Sequence, residues 1–208
     1  MGKGRKSLLS LLLGLLGFVL ALYLMSDNSP TMMRWFPSTS GSDEEILFNT
    51  MLQVEDMPSG WYRRNGSIQI EYVPGGDGRF FWFHHISAKD LTWVNVSEKV
   101  LVYGGQNAAS EGYRQQRDKY FPPGVTEWVE IEELVFPHHA DEMKAACLEG
   151  YVNRMHHYAC RAVARYGRVV IIVQGNVFDE RWLTMGDFRS VLEAADRRAT
   201  IATGGNDE

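Results

Sequence analysis

The chain has 208 residues, of which 45% are hydrophobic, 12% aromatic and 23% charged, and its formal net charge is −5. These proportions exclude an intrinsically disordered chain and a collagen-like repeat, and two cysteines are too few for a disulfide-dense miniprotein. The acidic balance argues against nucleic acid or anionic lipid headgroups as the main ligand, because neutralising phosphates requires a basic surface.

In chain order, residues 1–7 form a basic tail with Lys3, Arg5 and Lys6 and no acidic residue. Residues 8–25 are uncharged and leucine-rich. As a helix these 18 residues would span about 27 Å, close to the hydrocarbon thickness of a bilayer. A cleaved signal peptide is the rival reading, but bulky Leu22, Tyr23, Leu24 and Met25 occupy the exit where small residues are needed. The expectation is therefore an uncleaved transmembrane anchor. Basic residues before the span place the N-terminus in the cytoplasm and the rest outside the cell membrane. Removing the tail's three positive charges leaves 18 basic against 26 acidic residues, so the exported part carries a formal charge of −8. Gly14 and Gly17 put small residues three apart on the span, a spacing that lets another helix approach closely.

Residues 26–42 read as a linker with an aromatic patch at Met32, Met33, Trp35 and Phe36. Such a patch sits at the headgroup level, on a partner subunit, or against the protein's own domain. An α+β domain is expected over 43–199, with a flexible tail at 200–208. Its first helix, over about 43–54, starts at the capping box Ser42-Asp43-Glu44-Glu45 and carries Leu47, Met51 and Val54 on one face. Pro58 and Gly60 stop it, and Trp61 begins extended chain. Alternation at Ile68, Ile70 and Tyr72, the turn Pro74–Gly78 and the aromatic run Arg79–Ile86 predict a hairpin.

In that run Phe80 and Trp82 point to one side, and Phe81 and Phe83 to the other. One side can be covered by the domain's own helices; the other, with Phe81 and Phe83, needs the linker, a ligand or a partner protein, with the domain's own N-terminal helix as the rival cover. A strand over 94–103, a helix over 107–120, and a half-buried strand over 128–136 follow, the last with Val129, Ile131 and Val135 inward and Glu130 and Glu132 outward. Two strands around Asn153-Arg154 place Cys147 opposite Cys160, which predicts a disulfide; two separately buried thiols are the alternative. Arg168–Gln174 adds a third strand to this meander, and its continuous apolar run Val169–Val173 marks it as the central strand of the sheet. Thr184 and Asp187 cap a last helix ending near Arg197-Arg198.

The expected fold is an antiparallel sheet of six or seven strands with helices packed on one face. The order of helix, Asp56-Met57-Pro58, Gly60-Trp61, strands, the Ala-rich helix, Ala140-Asp141-Glu142, Arg165–Val170 and a final helix resembles exported bacterial sensor-like domains. It is also similar to lipoproteins of the photosystem extrinsic-subunit type. The resemblance spans residues 43–199 and implies the fold alone.

All six histidines are paired, at His84-His85, His138-His139 and His156-His157. Neighbours on a strand diverge, so each pair offers one ligand at most to a shared metal; pH-responsive surface histidines are the alternative. No phosphate loop, nucleophile elbow or haem-attachment motif is present, and Glu130, Glu132 and Glu133 read as a solvated face. The expectation is a non-catalytic accessory subunit of a larger membrane complex, with an electron-transfer complex as one candidate host, and without cofactor, metal or nucleic acid. A membrane-anchored solute-binding or sensor-like module is the alternative, and a metal-dependent enzyme ranks behind both.

Overall fold

The computed structural model describes residues 41–63, 69–73, 76–85, 94–125, 127–152, 154–178 and 181–204; for β2 and β3 below, the description is of the backbone, with Phe83 described in full. Thr39–Glu208 forms one compact unit. The basic tail, the anchor, and the linker with Met32, Met33, Trp35 and Phe36 lie outside the described residues, as does the side chain of Phe81. Among the described residues no helix is long and apolar enough to cross a membrane.

The elements are α1 (Gly41–Thr50), a 3-10 turn at Val54–Asp56, β1 (Trp61–Arg63), β2 (Gln69–Val73), β3 (Gly76–His85), β4 (Asn95–Tyr103), α2 (Gln106–Tyr120), β5 (Trp128–Val129), a 3-10 turn at Glu132–Leu134, β6 (Glu142–Val152), β7 (Met155–Tyr166), β8 (Val169–Val177) and α3 (Met185–Ala202). The fold class is α+β. The strands form one antiparallel sheet in the order β1-β3-β4-β8-β7-β6-β5, with β2 beside β1 along β3. β8 therefore takes the central position that its apolar run predicts. The meander β6-β7-β8 turns at Arg154, whose φ is 65°, and at Gly167, whose φ of 56° suits a residue without Cβ.

Helices cover both faces of the sheet, which corrects the one-face expectation. On the first face, Val96, Val100, Ala162, Val169, Ile171 and Val173 pack with Leu47 of α1 and with Phe188, Val191 and Leu192 of α3. On the second, Leu101, Tyr103, Val163, Val170 and Ile172 pack with Ala109 and Tyr113 of α2. The cause is the strand pattern itself: β4 and β8 are apolar at successive positions, so each strand presents a surface to be buried on both sides. In α2, Ala109, Gly112, Tyr113 and Gln116 are buried at helical spacing. Gly112 lies so close to the sheet that a Cβ there would stand 2.2 Å from the ring of Tyr103.

Phe83 is fully buried in the first core, paired across the sheet with Val96. It is thus core and not a partner surface, because its inward face is already covered by α1 and its neighbours. The first helix also departs from its predicted span. It ends at Thr50 instead of continuing to 54, so Leu47, Met51 and Leu52 are buried while Val54 is 40% exposed. The chain turns there because the backbone N–H of Leu52 donates to Glu98 on β4 at 2.8 Å, which no continuing helix allows. Strand 128–136 is shortened to β5, and the turn at Glu132–Leu134 inverts its phase. Val129 is already exposed on β5; past the turn Leu134 and Phe136 go inward and Val135 outward, since a 3-10 turn has a period of three, not two. At the other end, the box at Thr184 and Asp187 forms as predicted, but α3 continues to Ala202.

Cys147 and Cys160 face each other in the β6-β7 register and form a disulfide with their Cα atoms 4.0 Å apart. Closing a loop of this size is worth about 3 kcal/mol. Replacing both cysteines with alanine should lower the unfolding free energy by about that amount, read from denaturant midpoints, and reductant should then leave the variant's midpoint unmoved. Gly112→Ala should cost about 1–3 kcal/mol through overpacking against Tyr103; an unchanged melting temperature would show that α2 does not press on the sheet as described.

Candidate functional site

A concavity lies on the outer edge of β6. Of the strand's residues, only Cys147 and Leu148 have an outer partner among the described residues, Val129 and Trp128 of β5. Beyond β5 the chain leaves the ladder, and a cavity of about 470 Å³ opens between Met143, Lys144 and Ala145, the α2 residues Tyr113 and Arg117, and the segment from Glu130 to His138. That segment is pinned at both ends. Trp128 meets Phe121 edge-on at 5.2 Å and lies under the Arg161 guanidinium at 4.7 Å, on the second face of the sheet. Arg161 also donates to the carbonyl of Tyr120 at 2.8 Å. Leu134 and Phe136 are buried in the first core. The segment therefore crosses the sheet edge from one face to the other, and the cavity lies where it crosses.

The cavity's polar lining is mainly basic. Lys144 is half-buried, with its Nζ 5.0 Å from the centre of the Phe121 ring, and makes no ion pair with a described carboxylate. Arg117 is half held by Asp118 at 2.9 Å. Burial, reinforced by the nearby Glu142 carboxylate, raises the Tyr113 pKa, although Arg117 and Arg165 oppose the shift, so its hydroxyl remains a donor. Glu130 is the one carboxylate in the lining. Ile131, Leu134, Phe136 and Met143 make the first-face side apolar. A smaller polar groove of about 250 Å³ runs over the second face, lined by Asn95, Ser97, Arg161, Gln174 and Asn176.

The two described histidine pairs each diverge, His156-His157 on strand β7 and His138-His139 in the irregular segment before β6. His138 lines the cavity and meets Phe136 edge-on, while His139 is held by Asp196. Asp196 is buried and accepts from the backbone N–H of His139 at 2.9 Å and from the Tyr166 hydroxyl at 2.8 Å, with His139 Nδ1 at 2.9 Å from its second oxygen. Burial first, then Asp196, hold Tyr166 well above the ordinary phenol range, so it stays a donor. His156 bonds Glu149 at 2.9 Å, and His157 stacks on Phe178 at 5.8 Å. No group of three or more His, Cys, Asp or Glu that could hold a metal ion is found among the described residues; the side chains of His84 and His85 lie outside them. Glu130 lines the cavity and Glu132 and Glu133 are exposed, on a turn and not on the expected strand.

Sequence reasoning did not single out Arg117, His138 or Lys144 for this site, because the cavity is made by segments distant in sequence. Glu98 belongs to no motif either, although the polar triplet Ser97-Glu98-Lys99 stands out inside an apolar strand. Its carboxylate is fully buried in the first core, accepts the Leu52 N–H through Oε2, and has no partner for Oε1 among the described residues. Arg63, whose Nη2 donates to the Leu52 carbonyl at 2.7 Å, and Arg198, paired with Asp56, are charged groups nearby. Burial dominates and pushes the Glu98 pKa up to about 8, against the lowering by the Leu52 N–H and the two arginines and with a small raising by Asp56. Compared with known proteins, the chain matches no family model and no curated protein.

Because the folded state holds the Glu98 proton more tightly than the unfolded chain, its stabilising contribution is complete below the ordinary glutamate pKa and is lost as pH rises through about 8. Stability of the native protein should fall between pH of about 4.5 and about 8, and Glu98→Gln should flatten that slope. A slope identical in the two proteins, measured by urea unfolding across that range, would assign the pH dependence elsewhere.

Proposed function

We propose that this protein is an extracytoplasmic docking subunit, tethered by residues 8–25 and seated on larger partners of a membrane complex. The observation that carries the reading is the outer edge of β6 from Glu142 to Ala146, which no strand pairs among the described residues and which lies beside a lined cavity, since an unpaired strand edge is a template for pairing with another chain. The disulfide adds support for the compartment, because such bonds persist in oxidising surroundings outside the cytoplasm. Val129 and Val135, exposed at 55% and 70%, lie in the segment that borders the same edge. The solute-binding alternative draws on one observation of its own: the cavity's volume falls in the range of small-molecule sites.

Protease added to the outside of intact spheroplasts should digest the domain, and mild-detergent purification should recover the chain with stoichiometric partners. A domain protected from outside protease, or a lone monomer at full yield, would overturn the reading, and in the second case thermal shifts with metabolite panels would decide the alternative.

A further inference from the structure

The edge of β6 carries more information than the presence of a docking surface. We propose that Glu142 to Ala146 accept an extended segment of a partner protein as an added strand, and that this segment alternates apolar and acidic side chains, with one carboxylate held by Lys144. The proposal rests on the docking reading above and names the partner's chemistry at that site.

Three observations converge. Along Glu142–Ala146 every second residue of an edge strand turns its N–H and C=O outward, and among the described residues no strand meets them. A peptide backbone offers the matching alternation of donors and acceptors, which a compact small molecule does not. The cavity runs along that edge and is large enough for side chains. Its two sides also differ in kind. Met143 and Ala145 turn toward the first face, where Leu134 and Phe136 give apolar cover. Lys144 turns toward the second, where Arg117 and Tyr113 also line the cavity. A strand laid beside β6 sends successive side chains to these two sides in turn. Apolar residues therefore suit one side, and acidic residues the other.

Lys144 gives the charge preference. It is half-buried over the Phe121 ring without a carboxylate among the described residues, so an incoming carboxylate gains a charge-assisted contact without displacing an existing ion pair. Arg117 is already engaged by Asp118 and adds to the field of the site more than to its specific contact.

The test uses the full chain in mild detergent with acetylated, amidated peptides: Val-Glu-Val-Glu-Val, its lysine counterpart, and the glutamate peptide N-methylated at alternate residues. Binding is read by anisotropy, and hydrogen exchange is followed at the amides of 143–146. The glutamate peptide should bind at least about tenfold more tightly than the lysine peptide, as one charge-assisted contact permits, and should slow exchange along the edge. Lys144→Glu, checked for native circular dichroism and absence of free thiol, should reverse the preference, and N-methylation should abolish binding. Equal binding of the two charged peptides, no binding at millimolar peptide, binding that survives N-methylation, or an edge-to-edge dimer of the chain itself would each overturn the proposal. Partners that still co-purify with Lys144→Glu would sink the β6 site and leave the docking reading standing. Peptide binding by a chain that purifies alone would do the reverse.

Discussion

Strand β8 requires cover on two sides, and much of the architecture follows from that requirement. Val169, Ile171 and Val173 are buried on one face and Val170 and Ile172 on the other. At about 2 kcal/mol for each aliphatic side chain removed from water, these five are worth about 10 kcal/mol, as much as the net stability of a typical domain. A sheet with such a strand at its centre cannot leave one face in water. Helices α1 and α3 supply one cover and α2 the other, and the close seat of Gly112 on Tyr103 shows how tightly the second is drawn in. The same demand fades toward the edges, where β6 carries Lys144 and β7 carries Arg161 on the second face.

The sheet edge inherits the consequences. Among the described residues only two of β6 are paired outward, so within them the strand is held chiefly by β7 and by the covalent bond between Cys147 and Cys160. A crosslink between those two strands fixes the register of the outermost full-length strand while leaving the other side of it available. Segment 130–138 does not complete the ladder because its turn at Glu132–Leu134 carries Leu134 and Phe136 into the core on the opposite face. Burying those two side chains outweighs two or three further ladder hydrogen bonds, whose net worth is about 1 kcal/mol each. The cavity is the space left by that choice.

Glu98 shows the opposite balance, a polar group retained inside a core at a cost. It holds the Leu52 N–H and so ends α1, and the Leu52 carbonyl is taken by Arg63 while Arg198 holds Asp56 a few residues on. The bend between α1 and β1 is thereby tied to β4 and to the last helix. Replacing Glu98 with an apolar residue would remove the desolvation cost but would orphan the Leu52 N–H, which is why the pair is best regarded as one unit.

Whatever depends on local pattern is legible in the order of residues alone. The hairpins, the central place of Val169–Val173, the pairing of Cys147 with Cys160, and the cap at Thr184 all follow from alternation, turn residues and short spacings, which act over a few positions of chain. Tertiary structure alone decided which faces were covered, where α1 stopped, that Phe83 went inward, and that Lys144, Arg117 and His138 came to one cavity. Each of these depends on residues brought together from different elements: Leu52 with Glu98, Phe83 with Val96, and Tyr113 with the segment after β5 around one cavity. Apolar alternation specifies that a side must be buried but not which element will bury it, because burial is non-directional and proportional to area. The identity of the covering element is settled only when the whole sheet and its three helices compete for the same surfaces.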